Sequence, residues 1–356
     1  MPRTTDPDAR PVVGITHGDI NSISYEIIIK TFVDNRLFEM MTPVVYGSSK
    51  VASYHRKTLN ISDFTFNLIK KADAANPKRA NIVNINDQEV KIDLGKSTQV
   101  AGELALQSLE AAIDDLKKNQ IDVLVTSPIN KKNIQSKNFH FPGHTESLAN
   151  KFGATDYLML MVSNSIRIGV ITGHIPLREV FEQLNEDLIL RKMKILQQSL
   201  IKDFAIQSPR IAILGRNPHA GDNDLLGKEE SQIIIPAIEK AKEAGIRAFG
   251  PFPADGFFGS STFTQFDGIL AMYHDQGMLP FKTLSFESGV NFTAGLPIIR
   301  TSPSHGTAYE IAGKDVASPN SFRAAIYLAC DIYNNRREFE QLTANPLKAM
   351  KQETEH

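Results

Sequence analysis

Leu106-Gln107-Ser108-Leu109-Glu110-Ala111-Ala112-Ile113-Asp114-Asp115-Leu116-Lys117-Lys118-Asn119-Gln120-Ile121-Asp122-Val123-Leu124-Val125-Thr126 contains a whole helix-to-strand unit. Leu106, Leu109, Ile113 and Leu116 recur at the spacing of one helix face, and the run from Ile121 to Thr126 is short and rich in β-branched residues. A helix followed closely by such a strand is the repeating unit of a mostly parallel sheet covered by helices. The alternation continues downstream. Ile189, Met193, Leu196 and Leu200 form a second stripe behind a cap at Asn185, with Glu186 and Asp187 in the first turn, and Arg210 to Leu214 reads as the strand that follows. A helix from about Glu229 ends at Gly245, and Asp267 to Met272 supplies another strand. The fold class is α/β.

The chain has 356 residues, enough for two domains. Its 42% hydrophobic and 22% charged residues exclude collagen-like, coiled-coil and wholly disordered chains. Lys plus Arg number 39 against 40 Asp plus Glu, so no global field favours nucleic acid or an anionic membrane. Anions must therefore be held by local groups. Residues 1–10 are polar and lack the apolar stretch of a signal peptide, and no later run approaches the roughly 18 to 20 apolar residues of a membrane span. A cytoplasmic protein is expected, with no membrane and no nucleic-acid partner. The single cysteine, Cys330, lies in an apolar run and reads as a packed thiol in a reducing compartment. The polar residues 344–356 read as a frayed end.

Ligands of open α/β sheets sit beyond the carboxyl ends of strands. Ile166 to Ile171 leads into Thr172-Gly173-His174, Ile211 to Leu214 into Gly215-Arg216-Asn217-Pro218-His219, and Gly268 to Met272 into Tyr273-His274-Asp275-Gln276-Gly277. Each strand end carries a histidine. Neutral imidazole is the commonest metal ligand, and a three-histidine set leaves a position open for substrate. Surface or hydrogen-bonded loop histidines are the bland alternative, since only the fold can join residues so far apart in sequence. A second constellation suits a phosphorylated substrate. Pro142-Gly143-His144-Thr145-Glu146 precedes a helix whose free N–H groups and hydroxyl can meet phosphate oxygens, and Lys282, Asn291 and Arg300 follow near one strand end.

No Gly-x-Gly-x-x-Gly follows the first strand, so a Rossmann site is not supported. The loop Gly14-Ile15-Thr16-His17-Gly18-Asp19 has glycines for a tight turn, whether it binds anything or only joins a strand to a helix. The remaining signal is His305-Gly306-Thr307-Ala308, with Ile311-Ala312-Gly313-Lys314 and Ala317-Ser318-Pro319-Asn320 beyond it.

Together these segments resemble the 4-hydroxythreonine-4-phosphate dehydrogenase family of pyridoxal phosphate synthesis, from about Pro11 to about Tyr333. The resemblance is carried by Thr126-Ser127-Pro128-Ile129-Asn130-Lys131, Gly143-His144-Thr145-Glu146, His174-Ile175-Pro176-Leu177, Asn217-Pro218-His219-Ala220-Gly221, Tyr273-His274-Asp275-Gln276-Gly277 and Gly295-Leu296-Pro297-Ile298-Ile299-Arg300. The segment from His305 to Asn320 also resembles the adenosine-binding loop of isopropylmalate and isocitrate dehydrogenases. The likeness implies their fold: two α/β/α domains with a cleft between them, residues 1–127 with 296–356 forming one and 128–295 the other, and NAD or NADP bound without a Rossmann motif.

For the site, the resemblance implies a divalent metal ion (Zn, Co or Mg) on His174, His219 and His274. It implies substrate contacts from His144, Thr145, Lys282, Asn291 and Arg300, and cofactor contacts from His305, Gly306, Thr307, Ala308 and Asn320. It further implies a homodimer with shared sites, His174 and His219 coming from one chain and His274 from its partner. The implied reaction is oxidation of the C3 hydroxyl of 4-phosphooxy-L-threonine by NAD, with loss of carbon dioxide to leave 3-amino-2-oxopropyl phosphate. The general base stays open among Lys282, Asp275 and a hydroxide on the metal. Two departures stand out: Ser22-Ile23-Ser24-Tyr25-Glu26 where the family usually reads Gly-Ile-Gly-Pro-Glu, and Arg216 in place of a usual leucine, which is expected to add a charge near the cleft. A sister enzyme using D-threonate or D-erythronate 4-phosphate is the nearest rival, followed by a phosphate acyltransferase of the same architecture and by a ligand-binding module without chemistry.

Overall fold

The computed structural model describes residues 10–135, 143–285 and 287–345. The first strands are β1 (Val12–Thr16), β2 (Thr42–Gly47), β3 (Asn67–Ile69), β4 (Asn81–Asn84) and β5 (Val123–Thr126). Then come β6 (Leu158–Val162), β7 (Arg167–Thr172), β8 (Arg210–Leu214) and β9 (Arg247–Phe252). The last three are β10 (Gly268–Tyr273), β11 (Val290–Ala294) and β12 (Arg300–Pro303). The helices are α1 (Ser24–Phe32), α2 (Ser49–Thr58), α3 (Gln99–Lys117), α4 (His144–Lys151) and α5 (Leu177–Gln183). They continue with α6 (Glu186–Lys202), α7 (Ile235–Glu243), α8 (Ala254–Phe258), α9 (His274–Leu284) and α10 (Asn320–Thr343).

Among the described residues these twelve strands form one sheet in the order β3-β4-β2-β1-β5-β12-β11-β6-β7-β10-β8-β9. The block from β3 to β12 is parallel, and so is the block β7-β10-β8-β9. Between them β11 runs antiparallel to β12 and to β6, and β6 antiparallel to β7. The chain leaves the first block after β5 and returns to it only at β12. The three antiparallel steps leave the two parallel blocks running in opposite directions on either side of β6 and β11.

Packing follows the sequence patterns. The stripe Leu106, Leu109, Ile113 and Leu116 lies on α3, buried in one core with Tyr46, Ile121 and Leu124. Asn185 caps α6 by accepting from the Leu188 amide at 2.9 Å, and Ile189, Met193, Leu196 and Leu200 are buried. The strand placed at Arg210 to Leu214 is β8, and the one placed at Asp267 to Met272 is β10, shifted by one residue. The helix expected from Glu229 opens with a π-helical turn, Glu230–Ile234, before α7. Cys330 is buried in α10, and burial pushes its thiol up to about 12. The frayed end falls almost wholly outside the described residues.

The two serines of the first loop require no left-handed backbone. Ser24 opens α1, and Ile23 before it has φ −74°. Their hydroxyls make bonds that glycine cannot: Ser22 Oγ donates to the Asp19 carbonyl at 2.6 Å and Ser24 Oγ to the Pro128 carbonyl at 3.3 Å. The tight turn falls instead at Gly18, φ +68°, where a Cβ would stand 2.3 Å from the Pro128 carbonyl oxygen. No helix among the described residues is long and apolar enough to cross a membrane.

Candidate active site

Two adjoining cavities of about 260 and 520 Å³ open over β6 and β11, lined by residues from both blocks. Lys131, His174, Asn291 and Arg300 line both. Arg300, on β12, is buried, and its Nε and Nη2 donate to Thr126 Oγ1 on β5 at 3.1 and 2.7 Å. Burial lowers its pKa to about 10, partly offset by the Glu146 carboxylate. Lys282, in the last turn of α9, lines the smaller cavity beside Asn291 of β11. Asn291 Oδ1 is buried and has no hydrogen-bond partner among the described residues, so it awaits a donor. Thr145, in the first turn of α4, lines the larger cavity with its hydroxyl 3.5 Å from that of Thr293. The backbone of His144 opens α4; its side chain lies outside the described residues.

Since β7, β10 and β8 are parallel neighbours, their carboxyl ends lie side by side. This places the rings of His174 and His274 with centroids 5.2 Å apart. Two imidazoles on one tetrahedral ion, with metal–nitrogen bonds of about 2 Å, hold their centroids roughly 5 Å apart. His274 Nδ1 bonds Asp275 Oδ1 at 2.7 Å, which leaves Nε2 to face a ligand. The pKa of His174 is lowered, first by burial and then by the neighbouring Lys131 and His274, favouring the neutral, metal-binding imidazole. His219 is exposed on the turn after β8 and is not among the residues lining either cavity. Among the described residues no three His, Cys, Asp or Glu side chains of one chain converge as a metal site.

On the cofactor side, His305 and Gly306 follow β12 and line the smaller cavity. His305 Nε2 is buried without a partner among the described residues, and burial lowers the ring's pKa. The Thr307 carbonyl accepts from the Ile23 amide at 3.3 Å, and Ala308 turns left-handed at φ 44°. Asn320 opens α10 and lines a separate cavity with Arg167 and Arg323.

Two charges stand where sequence alone did not put them. Arg216, read as a new charge near the cleft, is paired with Glu229 at 2.5 Å and lies over the Phe181 ring. The Asp275 carboxylate is 86% exposed and does not line either cavity. Conversely, Lys131 reaches both cavities although sequence reading gave it no role. The signal was present: it lies in the loop after β5, where the same strand-end rule applies.

An α/β sheet whose strand ends gather cations, imidazoles and unsatisfied polar atoms around one cleft defines an enzyme built for a small anionic substrate. Residues 39–329 match the pyridoxal phosphate biosynthetic protein PdxA family. A 4-hydroxythreonine-4-phosphate dehydrogenase from Bacteroides thetaiotaomicron is 51% identical over 337 residues, covering 94% of this chain and 92% of that protein. The crystal structure of the Klebsiella pneumoniae 4-hydroxythreonine-4-phosphate dehydrogenase superposes with a TM-score of 0.79 at 34% identity, covering 91% of this chain and 98% of that one. An Oceanobacillus iheyensis protein with the provisional name D-threonate 4-phosphate dehydrogenase is 35% identical, covering 91% of this chain and 98% of its own. The chain belongs to the 4-hydroxythreonine-4-phosphate dehydrogenase family of pyridoxal phosphate biosynthesis.

Proposed function

We propose that this protein is a cytoplasmic enzyme that oxidises 4-phosphooxy-L-threonine at C3 with NAD or NADP and releases carbon dioxide, leaving 3-amino-2-oxopropyl phosphate. The observation that carries this is the convergence of Lys131, Lys282 and Arg300 with the unsatisfied Asn291 Oδ1 on the cavity that holds His174 and His274. The cations suit a phosphate and a carboxylate, and Asn291 Oδ1 accepts from a donor on the substrate. His144 and Thr145, at the start of α4, complete the phosphate contacts with the helix amides. Remote binding of that group holds C3 in place for hydride transfer. Lys282 serves the substrate clamp, while Asp275, bonded to Nδ1 of His274, orients that ring.

A divalent ion fits His174 and His274 by their ring separation, and His174 also by the burial that favours its neutral ring, with His219 as the third ligand. Zn, Co or Mg there would supply Lewis-acid polarisation of the reacting oxygen. NAD or NADP, accepting the hydride, fits residues 305–308 through the unsatisfied His305 Nε2, with Asn320 as a further contact. The ligand set is completed across a homodimer. In support, each histidine is followed by exposed apolar side chains: Leu177 and Phe181 after His174, Leu225 and Leu226 after His219, Leu279 and Leu284 after His274. A second copy of the chain would cover them and bring a third imidazole to the pair.

The second reading, D-threonate 4-phosphate as substrate, is favoured by the Oceanobacillus iheyensis relative and differs only at C2. One assay with both compounds, following NADH and carbon dioxide, decides. Faster turnover of 4-phosphooxy-L-threonine is expected; turnover of D-threonate 4-phosphate alone overturns the first reading.

A further inference from the structure

Residues 219–224 are all left-handed: His219, Ala220, Gly221, Asp222, Asn223 and Asp224 have φ of 51°, 52°, 84°, 43°, 54° and 71°. L-residues visit this region singly, and five of these six carry a Cβ, so the turn needs an external brace. The brace is a carboxylate. Glu230 is buried, and its Oε1 accepts from the Arg216 and Asn217 amides, both at 2.7 Å. Its Oε2 accepts from Asn217 Nδ2 at 2.8 Å. The backbone closes on it from both sides: a Cβ on Gly215 would lie 3.3 Å from Oε1, and one on Gly221 2.9 Å from Oε2.

Glu230 also begins the π-helical turn before α7, so two uncommon backbone conformations meet at one side chain. Asn217 Nδ2 additionally donates to Glu229 Oε2 at 2.6 Å, fixing which face of its amide Glu230 sees. On the opposite side, Gln276 Nε2 donates to the Gly215 carbonyl at 2.6 Å and its Oε1 accepts from the Met272 amide at 2.8 Å. The turn that carries His219 is thus tied to the helix that begins at His274.

We propose that Glu230 is a positioning residue for His219: its buried carboxylate is the post around which the left-handed turn is wound, and it sets where that imidazole stands. This rests on reading His219 as a metal ligand, and it goes further by assigning the work to a side chain that touches neither metal nor substrate.

The test is equilibrium titration of the purified, metal-stripped enzyme with Co²⁺ alone, followed by visible absorption. Glu230→Ala should weaken Co²⁺ binding about 10- to 100-fold, the usual effect of losing an outer partner of a ligand. Glu230→Gln should weaken it less, because its amide oxygen still accepts from both backbone amides while its NH₂ opposes the Asn217 donor. In a His219→Ala background, Glu230→Ala should add no further loss. If His219→Ala weakens binding but both Glu230 variants bind as the wild type, the inference fails alone. Equal losses from Glu230→Ala with and without His219 also overturn it, since the effect would then be general. Wild-type affinity in His219→Ala overturns the ligand reading, and this inference with it. Glu230→Gln preserves shape and keeps the test decisive if the alanine variant does not fold.

Discussion

The guanidinium of Arg300, at the start of β12, is held by the hydroxyl of Thr126, at the end of β5, through two donated bonds of 3.1 and 2.7 Å. The parallel register sets this up. Arg300 pairs with Leu124 and Thr301 with Val125, so Thr126 lies two residues along the same face of the neighbouring strand. Thr126→Val keeps the shape and removes the acceptor, leaving a buried cation less well oriented. Hydrogen bonds to charged groups contribute about 1.5–3 kcal/mol, so KM for the phosphorylated substrate should rise about 10- to 100-fold. Steady-state kinetics on the folded variant checks this; an unchanged KM contradicts an orienting role for Thr126.

Phosphate contacts should act on the chemical step as well as on binding. Lys282 and Arg300 line the same cavity as His174 and His274, so a phosphate held there fixes the distance from the reacting carbon. A dephosphorylated substrate should lose kcat by about 100-fold, the scale of a misplacement near 1 Å. Single-turnover measurement of NADH formation at saturating substrate isolates that step. Equal rates for the two compounds contradict the role.

Acid should unfold the protein through two histidines remote from the metal-binding pair. His17 and His55 are buried and stack on Tyr25 at 5.4 and 5.1 Å, and burial lowers the pKa of each from 6.5 to about 4. Between those values the unfolded chain binds more protons than the folded one, so stability is full above pH 6.5 and is lost as pH falls towards 4. Each ring contributes about 1.4 kcal/mol per pH unit within that window. Urea unfolding at several pH values should show the slope, and His55→Gln should lower it by about 1.4 kcal/mol per pH unit. An unchanged slope in that variant would refute the assignment.

Periodicity made much of this legible in the sequence, because burial of one helix face and of whole strands leaves a local signature. The stripes on α3 and α6, the Asn185 cap and the histidines after β7, β8 and β10 all belong to that class. What stayed hidden depends on contacts across the fold. The antiparallel placement of β6 and β11 between two parallel blocks follows from long-range pairing, and no residue in either strand announces its neighbour. The left-handed turn at residues 219–224 is invisible for the same reason: its brace, Glu230, lies beyond it in the chain and contains no turn signal of its own. The charge of Arg216 is matched by Glu229, a pairing that only the fold brings about.

The expected dimer predicts a complementation pattern that separates three arrangements of the histidines. One chain sets His174 beside His274, and the resemblance to the family implies that His274 crosses to the partner's site. A third arrangement keeps the whole set within one chain. Mixing His219→Ala with His274→Ala protein discriminates sharing from its absence. If either His219 or His274 crosses the two-fold axis, one site of each hybrid gathers both substitutions and the other gathers none. Random reassortment makes about half the dimers hybrids, so activity should recover to about a quarter of wild type when sites act independently. This recovery is the expected outcome, and none is possible if each chain builds its own complete site. The His174→Ala with His274→Ala mixture then assigns the crossing residue. Recovery there means that His274 reaches the other chain's site; failure there, with recovery in the first mixture, means that His174 and His274 serve together and His219 crosses. Native mass spectrometry must show the hybrid in both mixtures, and no recovery in either with hybrids present would reject the shared site.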